Sequence, residues 1–125
     1  GKIYLAYKNH FSKEFGETEE IEFEIEDFDK ALIFFEKIGF LPYRHQEKKR
    51  HTFILNDVTI DIDTWPKIPT YVEIEGKSKE EVKKMALSLG FDWSKANFED
   101  ARTVIEKIYS VPVGNMRWFT FSRLE

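Results

Sequence analysis

Apolar and polar residues alternate with period two along several stretches of this chain. Residues 2–8 put Ile3, Leu5 and Tyr7 on one face and Lys2, Tyr4, Ala6 and Lys8 on the other, which predicts a strand. Residues 9–18 are polar and carry Gly16, so a loop is expected there. Residues 19–26 alternate again, with Glu20, Glu22, Glu24 and Glu26 opposite Ile21, Phe23 and Ile25. Residues 42–55 read as one long strand rich in bases, with Arg44, Gln46, Lys48 and Arg50 on one face. Asn56-Asp57 is a turn signal, and residues 58–64 (VTIDIDT) return from it as the second arm of a hairpin. Trp65-Pro66 and Pro69 mark a constrained connection to a strand over 70–75, and residues 116–121 predict a closing strand.

Three stretches repeat at helical spacing instead. Asp27 is placed to cap a helix over 28–38, whose stripe is Phe28, Ala31, Leu32, Phe35 and Ile38, and Gly39 ends it. Ser78-Lys79-Glu80-Glu81 is a capping box before Val82, Met85, Ala86 and Leu89, with Gly90 at the end. Asn97 is expected to cap a helix over 98–109 with Ala101, Val104, Ile105 and Ile108 inward. The order repeats: Glu24-Ile25-Glu26 leads to a helix ending Gly39-Phe40, and Glu73-Ile74-Glu75 leads to one ending Gly90-Phe91. This suggests a duplicated strand-plus-helix unit.

Composition narrows the classes. The chain has 125 residues, 42% hydrophobic and 16% aromatic with twelve phenylalanines, enough for one domain with a real core. A net charge of -4 gives no global field toward nucleic acid. The absence of cysteine excludes disulfides and thiolate metal sites. No apolar run approaches the roughly 20 residues of a membrane helix, and no signal sequence opens the chain, so a cytoplasmic domain is expected. The common glycine-rich phosphate cradles are missing, and His10, His45 and His51 lack metal-ligand spacing. Trp65 and Trp93 fall in connections, where packing is the simpler role than ligand contact.

The second face of each strand is charged rather than merely polar. Thr59, Asp61 and Asp63 share a face on the return strand, and Glu73 and Glu75 share one on the next. An antiparallel sheet with one wet face accounts for this, its opposite charges pairing across strands at about 0–1 kcal/mol each. A curled sheet with its charges turned inward accounts for it too. Carboxylates at i and i+2 would then share a divalent cation, while Lys and Arg would bind the oxygens of an anion. Metal, bases and carboxylates together are the chemistry a triphosphate needs.

Several motifs together resemble the CYTH superfamily, the triphosphate tunnel metalloenzymes. They are the aspartate ten residues before a Glu-x-Glu strand (Asp63, Glu73, Glu75), the Lys-x-Arg strand (Lys48, Arg50) and the Glu-Glu-Ile-Glu strand of residues 19–22. The resemblance covers nearly the whole chain and looks closest to small class IV adenylyl cyclase-like proteins. It implies an α+β fold in which an antiparallel β-sheet forms part of a tunnel barrel with flanking helices. It also implies one CYTH-like domain over residues 1–125. By the resemblance, Lys8, Lys48 and Arg50 bind substrate phosphates, Glu73 and Glu75 hold Mg²⁺ or Mn²⁺, and Asp63 with Glu20 and Glu22 take catalytic roles. Ala6 stands where the family has threonine, Thr18 where it often has arginine, and Gln46 where a base is frequent.

The family's first strand, Glu-x-Glu-x-Lys, is not in this sequence, so the chain alone is expected to form an incomplete tunnel. The implied partner is ATP or another triphosphate, with no nucleic acid and no membrane, and a homodimer would complete the barrel. Cyclase and triphosphatase chemistry share one tunnel and are not separated by the sequence. A non-catalytic anion-binding or assembly module is the alternative.

Overall fold

The computed structural model describes residues 1–10 and 18–125, and the chain divides into two compact units, Gly1–Tyr43 and Arg44–Glu125. Most of the loop expected over 9–18 lies outside the described residues. The fold is mixed α+β.

In the first unit, β1 (Ile3–His10) pairs antiparallel with β2 (Thr18–Ile25), and α1 (Phe28–Lys37) follows. The register sets Lys8 opposite Glu20, Ala6 opposite Glu22 and Tyr4 opposite Glu24, so the acidic face of β2 meets the polar face of β1. Asp27 caps α1 by accepting from the Lys30 N–H at 2.9 Å. The stripe of α1 is less covered than its spacing predicts. Ala31, Leu32 and Phe35 are half-buried, whereas Phe28 and Ile38 are exposed.

The second unit is built on the antiparallel sheet β4 (Lys49–Leu55), β5 (Val58–Thr64) and β6 (Tyr71–Glu75). Asn56 and Asp57 both take positive φ, the two-residue turn whose twist matches a hairpin. Period two sends Val58, Ile60, Val72 and Ile74 to one face, where they pack with Met85 of α2 (Lys79–Ser88). Ser78 caps α2 by accepting from the Glu81 N–H, and Glu81 reaches back to the N–H of Lys77 rather than to that of Ser78. A second core gathers Ile68, Ile105, Val113 and Phe119, with Trp65 and Tyr71 against it.

Three boundaries differ from the sequence reading. The strand expected over 42–55 is broken: β3 is only His45–Gln46 and pairs parallel with β7 (Trp118–Phe119), the short remnant of the closing strand. Arg44 explains the break, since its guanidinium donates to the carbonyls of Met116 and Gly114 and ties this segment to the C-terminal stretch. The third helix, α3 (Ala101–Tyr109), begins later because Asp100 caps it, accepting from the Thr103 N–H at 3.0 Å. Asn97 instead turns the chain by accepting from the Glu99 N–H.

The duplicated pattern has a structural counterpart. Both α1 and α2 end with glycine in the left-handed region (Gly39, φ +94°; Gly90, φ +85°), followed by a phenylalanine whose N–H bonds a carbonyl five residues back. Caps and stops align at one offset, Asp27 with Ser78 and Gly39 with Gly90. That offset matches Glu22 with Glu73 and Glu24 with Glu75, one strand-pitch away from the pairing that the Glu-Ile-Glu strings suggest.

A Cβ at Gly90 would meet nothing within 4 Å, so Gly90→Ala isolates the cost of its φ. Urea unfolding is expected to show a loss of about 1 kcal/mol. An unchanged midpoint would contradict the left-handed stop.

Candidate functional site

The polar face of β4–β6 carries the site of the second unit. Three cross-strand rows stack along it: Arg50, Asp63 and Tyr71; Thr52, Asp61 and Glu73; Ile54, Thr59 and Glu75. Alternation alone would leave this face wet. Instead Asp63 is 0% exposed and Asp61 4%. A lone carboxylate taken out of water is too costly to remain ionised, so cations must meet these two.

Arg50 is the main counter-ion. Its Nε and Nη2 form a two-pronged fork on Asp63, at 2.6 Å to Oδ1 and 2.5 Å to Oδ2. Its Nη1 lies 2.7 Å from Asp61 Oδ2, and Nη2 also reaches Glu73 Oε2 at 2.7 Å. Lys48 Nζ adds a bond to Asp63 Oδ2 at 3.0 Å. Thr52 Oγ1 donates to the other oxygen of Asp61. One guanidinium therefore joins three carboxylates on two strands, and the side chains of Arg50 and Lys48 still keep 31% and 32% of their surface open.

The electrostatics follow the contacts. Burial would raise the pKa of Asp63, but the bonds from Arg50 and Lys48 outweigh it and hold the carboxyl below its usual range. The hydrogen bond to Asp63, reinforced by the charges of Asp63, Glu73 and Asp61, keeps the Arg50 guanidinium more firmly protonated than usual. Glu73 is gripped at both oxygens: Arg50 takes Oε2, and the Tyr71 hydroxyl donates to Oε1 at 3.2 Å. Trp65 Nε1 in turn donates to the Tyr71 oxygen at 2.9 Å. Burial, with Glu73 alongside, pushes the Tyr71 phenol up to about 12, so it stays a donor at neutral pH.

Among the residues singled out by sequence, Lys48, Arg50, Asp63 and Glu73 meet in this cluster. Glu75 stands on the same face one row further along and is exposed. In the first unit, Lys8 Nζ lies 2.9 Å from Glu20 Oε1, and Glu22 stands one row along from Glu20. The Lys8 and Glu20 side chains are 55% and 43% exposed, so solvent screens the pair and it contributes little. Asp63 has no exposed surface, and both of its oxygens are engaged by Arg50 and Lys48.

Asp61, Thr52, Tyr71 and Trp65 also belong to the cluster; the sequence places Asp61 among the face-sharing carboxylates and gives Thr52 and Tyr71 no site role. Two have a readable signal: Asp61 is two residues from Asp63, and Tyr71 two from Glu73, so each shares a strand face with a chosen acid. Among the described residues no group of three His, Cys, Asp or Glu is arranged to hold a metal, and no helix is long and apolar enough to cross a membrane.

The family profile of the CYTH domain matches residues 1–101. The chain belongs to the CYTH family. Two solved structures resemble it, both from Pyrococcus. A conserved hypothetical protein from Pyrococcus furiosus is 32% identical with a TM-score of 0.67, and a protein from Pyrococcus horikoshii OT3 is 29% identical with a TM-score of 0.64. Each comparison covers 80% of this chain and 65% of the other, so this CYTH chain spans less than two thirds of those proteins. No curated protein matches it. The match ends just inside α3, so the rest of α3 and β7 lie beyond it.

Arg50→Ala leaves Asp61 and Asp63 buried with too little positive charge. It is expected to cost about 3 kcal/mol at pH 7, the low end of the range for a broken buried pair because Arg50 is partly open. Urea unfolding measures it, and a loss under about 1 kcal/mol would show the cluster to be a screened surface feature. The pH dependence has a definite sign. Because Asp63 has a lowered folded pKa, its share of stability is complete above the ordinary carboxylate value near pH 4 and disappears as pH falls through the folded value. Asp63→Asn is therefore expected to flatten the acid limb of stability below about pH 4. A wild-type slope in that variant would place the proton uptake elsewhere.

Proposed function

We propose that this CYTH chain binds the phosphates of ATP or an inorganic triphosphate, and that its chemistry on them is metal-dependent. The observation that carries this reading is the pair of half-open bases, Lys48 and Arg50, held side by side by a fully buried carboxylate. Asp63 fixes where the two cations sit, so phosphate oxygens would find them preorganised. Arg50 offers a planar fork and Lys48 a point charge, the two usual ways of gripping phosphate.

Charge counting supports the metal. Lys48 and Arg50 face Asp61, Asp63 and Glu73, two positive groups against three negative ones. A free triphosphate would enter a site of net charge about -1, whereas its complex with a divalent cation carries two fewer negative charges and meets a smaller penalty. The donor set also fits: Mg²⁺ and Mn²⁺ favour carboxylate oxygens, and Mg²⁺ usually takes only one or two of these plus phosphate oxygens and water. Glu73 and Glu75, two residues apart on one face, would be those carboxylates. When bound, the metal would neutralise phosphate charge and polarise the phosphorus under attack. By the family resemblance, Lys8 would bind phosphate, and Glu20 and Glu22 would take the catalytic role. Attack by a ribose hydroxyl would make the chain a cyclase, and attack by water a triphosphatase.

A closed tunnel barrel belongs to this reading, with residues 1–125 forming one CYTH-like domain and two copies joining to complete the barrel. Exposed apolar residues on β2, Ile21 at 54% and Phe23 at 53%, favour such association, as does a sheet of only two strands among the described residues. The same exposure also supports the second reading, a binding or assembly module without turnover.

Purified protein with Mn²⁺ and either ATP or tripolyphosphate is expected to release cyclic AMP or phosphate, and Glu73→Gln and Lys48→Gln are each expected to slow this by about 100-fold. Turnover unaffected by both changes would refute the site. Tripolyphosphate binding without any product would select the module.

A further inference from the structure

We propose that Trp65 is a positioning residue that fixes the distance between the base arm and the acid arm of the phosphate site. The inference rests on the triphosphate reading and deepens it. Trp65 follows β5 in the connection to β6 and meets both arms at once. Its ring lies under Lys48 Nζ, 5.3 Å from the centroid, a contact that favours the ammonium over the ring face. Its Nε1–H donates to the Tyr71 hydroxyl at 2.9 Å, and that hydroxyl donates to Glu73 Oε1 at 3.2 Å.

The direction of this chain of bonds is forced. An indole N–H can only donate and a carboxylate can only accept, so the phenol between them must accept from Trp65 and direct its hydrogen to Glu73. Glu73 thus keeps one oxygen oriented by the indole through Tyr71 and turns the other toward Arg50. Lys48 gains a defined position that its flexible stem does not supply.

Trp65 can hold two groups because it is itself held. Its ring stacks on Phe119 with centroids 5.9 Å apart and planes 18° from parallel, and Phe119 is 0% exposed. The backbone carbonyl of Phe119 accepts from the N–H of Glu47, the residue before Lys48. The segment that delivers the lysine and the ring beneath that lysine are therefore fixed to the same residue, one by its backbone and one by its side chain.

The test is tripolyphosphate binding by calorimetry, in the presence of Mg²⁺, to wild type, Trp65→Phe, Tyr71→Phe and the double variant. Phenylalanine keeps an aromatic ring at this position, smaller than the indole, and removes the donor. Each single change is expected to weaken binding about fivefold, and the double change no more than either alone, because both break one bonded chain. Two independent packing losses would multiply instead. The indole N–H proton resonance of Trp65, assigned by its loss in Trp65→Phe, is expected to move upfield in Tyr71→Phe without ligand. Wild-type affinity in both single variants, or multiplicative losses, would overturn this inference while leaving the triphosphate reading intact. Wild-type protein with no affinity for tripolyphosphate would overturn both.

Discussion

A carboxylate with no exposed surface is the constraint from which the rest of the second unit follows. Asp63 must be answered by cations, and the register that places Arg50 directly across from it is what answers it. That register is set by the two-residue turn at Asn56-Asp57. A slip by one residue would carry Arg50 to the face where α2 packs on Ile60 and Val58, and bring His51 opposite Asp63. The apolar face is thus what keeps the ionic face in order, since packing against α2 favours only one of the two registers.

Acids are easier to see in the sequence than their partnerships. Asp63, Glu73 and Glu75 stand out because period two and a strand-to-strand spacing are local properties, and Lys48 and Arg50 stand out for the same reason. Arg44 shares their alternation, yet its guanidinium serves backbone carbonyls more than 60 residues away, and nothing local distinguishes it from a phosphate-binding base. Trp65 is readable as a packing residue, and it is one; its contacts with Lys48 and Tyr71 depend on how the connection folds back. The start of α3 is misread for a different reason. Asn97 and Asp100 are both good caps, and Asn97 satisfies itself in a tight turn one residue pair away.

The two strand-plus-helix units align by their caps and helix stops but differ in what lies across from the aligned acids. Glu22 faces Ala6, whereas its counterpart Glu73 faces Asp61; Lys8 occupies the row position that Asp63 holds in the other unit. The backbone plan is shared and the charge plan is not. One hairpin carries exposed, screened pairs, and the other buries its acids beneath an arginine.

The tie between Arg44 and the carbonyls of Gly114 and Met116 also has a consequence for assembly in time. Those partners are separated by 70 and 72 residues, so closing them costs more chain entropy than forming the β4–β5 hairpin. On a ribosome, the β4–β5 hairpin with its Arg50–Asp63 pairing can form as soon as residue 64 is clear. The segment leading to Lys48 must wait for the last residues of the chain. Lys48 is therefore among the last parts of the cluster to be put in place, and a chain that stops short of β7 would keep its arginine cluster while losing the contacts that position this lysine.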